Sequence, residues 1–251
     1  MPYLGYLLAQ AVKAGQTVAS AITSAASYVT RVGSSVVELS ASAEAVKSPS
    51  SGSAVFSGSG NYVNIGSTLV GTGSSNYTVM AWVYRTRNNV GFEEILSQWS
   101  SGNSGNSFFF GFNDSNVRFT DNWPNITVSG AGTLNTWFHL CGVNVGGSNA
   151  YIYLNGNLAA TKGSANTYEG TANAVIGKQG TLSSEYIAGN LANVAVWSRV
   201  LSAEEVRSVM MKSYDDLSAS ETKGLVSWYA LDDISGTTVP DSHGNFNGTG
   251  Y

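Results

Sequence analysis

Tyr151-Ile-Tyr-Leu-Asn-Gly-Asn-Leu-Ala-Ala160 constrains the fold more than any other stretch of this chain. Two apolar runs flank an Asn-Gly pair, the dipeptide that best tolerates the positive φ angles of a tight hairpin turn. Side chains alternate across a strand, so Ile152 and Leu154 fall on one face and Tyr151 and Tyr153 on the other. The hairpin belongs to a series. Strand-like segments recur at 54–56, 62–65, 77–85, 94–98, 108–112, 117–120, 137–145, 150–154, 174–176, 190–197 and 225–231. Gly-, Ser- and Asn-rich clusters at 71–75 and 101–105 separate some of them. Many short strands with such punctuation predict an all-β fold, a two-sheet antiparallel jelly-roll sandwich.

Composition narrows the function classes. Only 11% of the 251 residues are charged, against about 25% in ordinary soluble domains. The surface is therefore expected to be built from Ser, Thr, Asn and Gly. Such a surface suits an extracellular protein or a subunit of an assembled particle. The net charge is −4 and the twelve Lys and Arg are scattered, so no basic stripe exists for phosphates and nucleic acid is not an expected partner. Cys141 is the single cysteine; it falls in a predicted strand and reads as a small buried hydrophobe. One Cys and two His leave no set of ligands for a structural zinc. No run of 18 apolar residues predicts a membrane-spanning helix. The apolar stretch 3–12 is short and lacks the basic start of a secretory leader, so none is expected.

Residues 1–52 differ from the remainder. They are rich in Ala, Ser, Val and Thr, lack Trp, and end in Ser48-Pro-Ser-Ser-Gly52, a linker pattern. Small or apolar residues from Leu4 through Val29, Val32 and Val36 recur at alternating steps of three and four, a heptad-like stripe. Gly15, Gly33 and the β-branched residues weaken any isolated helix there. The segment is read as an extended or helical arm that orders on other protein subunits, and residues 53–251 as the sandwich. One helix is marked inside the sandwich. Ser202 and Glu205 form a capping box, and Val206, Val209 and Met210 supply its apolar stripe.

These segments resemble a known family. Phe56-Ser-Gly-Ser-Gly-Asn-Tyr-Val-Asn-Ile65, Tyr77-Thr-Val-Met-Ala-Trp-Val83 and Trp137-Phe-His-Leu-Cys-Gly-Val143 are similar to strands of laminin-G-like domains of the concanavalin A-like lectin/glucanase superfamily. Tyr151 to Gly156 resembles their Tyr-x-Asp/Asn-Gly hairpin, and residues 189–206 resemble their closing strand and helix. The tail from Gly224 looks like a segment that often opens such domains, and is expected here to close the sandwich edge or to act as a circularly shifted start. The resemblance implies a jelly roll that binds glycans, proteins or Ca²⁺ at rim loops.

Catalysis is not expected. The Glu-x-Asp-x-x-Glu pattern of glucanases, which supplies nucleophile and acid on one strand face, is missing. Glu93-Glu94, Glu204-Glu205, Asp215-Asp216 and Asp232-Asp233 are adjacent pairs, and neighbours on a strand point apart. All four pairs read as solvated charges. His139 reads as a structural hydrogen-bonding group within a strand, and His243 as an exposed turn residue. Trp82, Trp137, Trp197 and Trp228 are assigned to core or inter-sheet packing. Candidate ligand contacts are Trp123, Asp121, Asn122 and Tyr168, which place aromatic faces and amide or carboxylate groups in predicted loops. Asp121 and Asp241 are the oxygen-rich positions for a rim Ca²⁺, with a turn-forming role as the alternative for Asp241. The expected role is a non-catalytic recognition and assembly protein of a virion, anchored by its arm; the alternative is a secreted or cell-surface lectin, and a glycoside hydrolase is the third reading.

Overall fold

The computed structural model describes residues 28–32, 35–39, 49, 51–73, 75–88, 90–99, 107–121, 126–163 and 170–251. The chain divides into two compact units, Met1–Ala45 and Val46–Tyr251. In the first, β1 (Tyr28–Val32) and β2 (Ser35–Leu39) form an antiparallel hairpin with Tyr28 opposite Leu39. Val29, Val32 and Val36, expected in a helical stripe, therefore lie in strands, the conformation that their branched Cβ atoms favour. The rest of that stripe lies outside the described residues.

The second unit is the expected sandwich. Its strands are β3 (Ala54–Ser57), β4 (Val63–Asn64), β5 (Tyr77–Arg85), β6 (Phe92–Gln98), β7 (Phe108–Asn113), β8 (Asn116–Asp121), β9 (Ile126–Val128), β10 (Trp137–Val145), β11 (Asn149–Leu154), β12 (Asn157–Gly163), β13 (Ala174–Ile176), β14 (Ala188–Trp197), β15 (Leu225–Tyr229), β16 (Thr238–Val239) and β17 (Gly248–Gly250). One sheet has seven strands in the order β12-β11-β10-β5-β14-β15, with β3 also paired to β14. The other has eight, in the order β16-β17-β4-β13-β6-β7-β8-β9. The tail thus closes an edge of each sheet, through β15 in one and the β16–β17 pair in the other.

Alternation decides what each face buries. Val79, Ala81 and Val83 of β5 meet Phe108, Phe110 and Phe112 of β7 in the inter-sheet core. Gly142 of β10 is required there: a Cβ on it would stand 2.6 Å from the Phe119 ring. The Asn155-Gly156 turn has φ of 47° and 75°, the paired positive values that join β11 to β12 tightly.

The opposite face of the seven-stranded sheet builds a second core, and three of the four tryptophans expected in core or inter-sheet packing lie in it. Met80, Cys141, Val143, Trp197 and Trp228 pack with Val206 and Val209 of the helix α1 (Ala203–Val209), while Trp82 packs with Met210 at the helix end. Trp82, Trp197 and Trp228 are fully buried, but beneath the helix rather than between the sheets. The indole N–H groups explain the choice: Trp82 donates to Met210 O at 3.0 Å, Trp197 to Glu221 O at 2.7 Å and Trp228 to Asn193 Oδ1 at 3.2 Å. The Val and Phe faces that meet between the sheets offer no such acceptors. Trp137 is only half-buried, tilted against Tyr84. α1 starts on the expected capping box, with Glu205 N donating to Ser202 Oγ and Ser202 N to Glu205 Oε2.

Candidate functional site

Glu93 and Glu94 are the largest correction to the sequence reading, because neither is solvated. Both side chains are fully buried, and as strand neighbours they point to opposite faces of the eight-stranded sheet. Glu93 lies opposite inward-facing Phe112, and its Oε2 accepts from Arg85 Nη2 at 2.5 Å. The Arg85 guanidinium also stacks 3.9 Å from the Phe112 ring centroid. The second oxygen of Glu93 accepts from Arg87 Nε at 2.9 Å and from Ala188 N at 3.0 Å. Arg87 Nη2 donates onward to Tyr186 O at 2.6 Å. This ionic knot inside the sandwich pins the returning end of the segment 177–187.

Glu94 faces outward, opposite Gly111. A Cβ at 111 would stand 2.9 Å from Glu94 Oε2, so glycine makes room for the carboxylate. Glu94 pairs with Arg118 of β8, whose Nη2 also stands 3.6 Å from Glu185. The guanidinium is layered on the rings of Phe92 and Phe109, at 4.2 and 4.6 Å. Burial lowers the Arg118 pKa to about 10, against the opposing pull of Glu185. Burial likewise raises the Glu185 carboxyl, partly countered by Arg118. Two carboxylates around one cation, all poorly hydrated, hold one another in place.

Towards the β17 edge, the same outer face carries aromatic residues. The register pairs Thr249 with Asn64 and continues to Tyr62 and Tyr251, whose backbones exchange hydrogen bonds in both directions. Their rings stack at 4.6 Å and 10° between planes. Tyr251 is 61% exposed. Lys178 Nζ sits 3.9 Å over the Tyr62 ring and donates to Leu182 O at 3.0 Å, with the Tyr186 ring centroid 5.7 Å away. Burial lowers the Lys178 pKa. Ser97 fixes this loop to the face: its Oγ donates to Lys178 O and accepts from Gly180 N, both at 2.8 Å. The segment 177–187 thus presents Lys178, Glu185 and Tyr186 together, over a sheet floor with Asn64 and Thr249.

The residues expected from sequence sit elsewhere. The backbone of Asp121 ends β8 opposite Phe108; its side chain, Asn122, Trp123 and Tyr168 lie outside the described residues. Asp241 is buried and organises its turn. One carboxylate oxygen accepts from Trp228 N and His243 N, at 2.8 and 3.0 Å; the other accepts from Asn245 N and Phe246 N, at 3.2 and 3.1 Å. Both oxygens are occupied by backbone donors, so a cation there would have to displace them. Among the described residues no group of three His, Cys, Asp or Glu converges as a metal site requires. His139 is buried edge-on to Trp82, its Nε2 3.4 Å from Met80 Sδ, and burial alone lowers its pKa to about 3. His243 is half-buried, with Nδ1 3.3 Å from the Tyr214 hydroxyl rather than free in solvent.

The sequence hid the tyrosine platform because Tyr62 and Tyr251 meet only through the pairing of β4 and β17, at opposite ends of the domain. The buried charges carried a fainter signal: Glu93-Glu94 falls within a strand-like segment, Arg85 ends the apolar run of β5, and Arg118 sits between Val117 and Phe119.

Residues 57–207 match a laminin-G-like family profile described as the concanavalin A-like lectin/glucanases superfamily. No curated protein matches the sequence. Solved structures share the fold at low identity. A Bacteroides ovatus ATCC 8483 protein, provisionally described as carbohydrate binding, is 19% identical with a TM-score of 0.62; the match covers 79% of this chain and 57% of that one. The chain thus spans little more than half the length of that relative. The CBM40 of a Ruminococcus gnavus IT-sialidase is 16% identical over 64% of this chain and 97% of its own, with a TM-score of 0.53. Domain 4 of the extracellular arabinanase AbnA from Geobacillus stearothermophilus, solved with arabinotriose, is 14% identical over 63% and 76%, with a TM-score of 0.50.

Proposed function

The chain belongs to the concanavalin A-like lectin/glucanases superfamily, and from that premise we propose that it is a non-catalytic glycan-binding module working outside cells. The observation that carries the proposal is the exposed Tyr62–Tyr251 stack on the outer face of the eight-stranded sheet, flanked by Tyr186 and Lys178. Aromatic rings offer apolar surface to the CH groups of a sugar, and Asn64 and Thr249 beside them offer partners for its hydroxyls. A low-charge, amide- and hydroxyl-rich surface suits the same task. Carbohydrate binding named for structural neighbours supports this reading over the virion role, which has only composition behind it. The residues that the sequence offers, Asp121, Asn122, Trp123 and Tyr168, are a second candidate set, with Ca²⁺ as the cofactor.

The non-catalytic reading rests on the carboxylates. Glycoside hydrolysis needs a proton-donating acid and a free carboxylate flanking one bond. Glu93 faces inward, and Glu94 and Glu185 are both engaged by Arg118. Incubation with a panel of polysaccharides should release no reducing sugar; release abolished by Glu185→Gln would make the protein an enzyme.

The binding test is a glycan array probed with the full-length chain, with and without chelator. Binding to a defined set of glycans is expected. Tyr62→Ala should weaken the best ligand by about ten-fold, the order of one lost aromatic contact. Absence of binding across the array would remove the proposal, and binding that vanished only with chelator would move the site to the Ca²⁺ candidates.

A further inference from the structure

Among the described residues, the cations around the outer face are engaged by this chain's own groups. Arg118 stands between Glu94 and Glu185, Arg87 is held by Glu93 and Tyr186 O, and Lys178 donates to Leu182 O beneath the Tyr62 ring. Recognition of a carboxylate or sulfate needs a guanidinium or ammonium whose donors point at the ligand. Here an anion approaching Arg118 would meet the carboxylates of Glu94 and Glu185, and Lys178 is buried against the Tyr62 ring. Glu94, Glu185, Arg118 and Lys178 together sum to no net charge, in a chain of net charge −4. The buried atoms of the Glu94–Arg118–Glu185 group without a hydrogen-bond partner are two acceptors, Glu94 Oε2 and Glu185 Oε2, and one donor, Arg118 Nε. Unpaired carboxylate oxygens thus outnumber the unpaired guanidinium donor, a balance that disfavours a second anion nearby.

Resting on the glycan-binding reading above, we propose that the ligand is an uncharged sugar and that acidic glycans are excluded. The Tyr62–Tyr251 stack supplies the contact surface. Glu185 acts on selectivity through Arg118, by keeping that guanidinium from serving as an anion receptor.

The test uses the full-length chain against matched pairs of glycans, each a neutral core and its sialylated, uronic or sulfated form, with calorimetry at about 0.05 M and about 0.5 M salt. Neutral members should bind at least about ten-fold tighter than their acidic partners, and salt should change their affinity by less than about two-fold. Glu185→Gln, which leaves Arg118 with one carboxylate fewer, should raise the acidic-to-neutral affinity ratio by about three-fold or more. An acidic glycan that binds tighter than its neutral core and weakens with salt would overturn this inference while leaving the module a glycan binder. Failure of both members of every pair would remove the inference together with the reading beneath it.

Discussion

Asp241 shows how one side chain organises a segment. Its two oxygens gather four backbone N–H groups, from Trp228, His243, Asn245 and Phe246, which ties the turn 241–246 to β15. Asp241→Ala leaves those donors without their acceptor and should cost about 3 kcal/mol in chemical denaturation. His139 sets a pH dependence. Its neutral form is favoured in the fold, where its pKa is about 3 against an ordinary 6.5. Only the unfolded chain takes up the proton between those values, so stability is complete above pH 6.5 and falls as pH drops. The slope approaches about 1.4 kcal/mol per pH unit. His139→Gln should remove about 1.5 kcal/mol of the loss between pH 6.5 and 5, measured from denaturation midpoints. The Glu221 carboxyl works in the same direction at lower pH. Burial raises its pKa, but donors from Lys212, Ser208 and Ser218 prevail and hold it at about 2, so its contribution fades as pH falls from 4.5 towards 2.

At the level of elements, local chemistry was readable and long-range pairing was not. The Asn155-Gly156 turn and the Ser202/Glu205 capping box follow from a few adjacent residues, and both form as the sequence implies. Ser202→Ala should cost about 1 kcal/mol of stability, because the α1 N-terminus loses one acceptor. β9, β16 and β17 were missed: three residues or fewer, rich in Gly and Thr, carry no periodicity. β5 hid the placement of its tryptophan for a different reason. Every residue from Tyr77 to Val83 is buried, so the strand shows no polar face to say which side meets the other sheet. Only α1, lying across the outside, makes the second face apolar. Glu93 and Glu94 misled because a charged pair reads as solvated until Arg85 and Arg118 are known to meet it.

The Val46–Tyr251 unit as a whole is two sheets with two cores, and its functional reading depends on which surface is left over. α1 and the following segment cover one outer face; the other carries Tyr62, Tyr251, Lys178 and the Glu94–Arg118–Glu185 group. The sequence candidates Asp121, Asn122, Trp123 and Tyr168 are the competing location. Backbone amide shift mapping with the best-bound neutral glycan distinguishes the two directly. Perturbations centred on Tyr62, Asn64, Lys178, Tyr186 and Tyr251 are the predicted result; perturbations confined to 121–123 and 168, with the tyrosine platform silent, would contradict it.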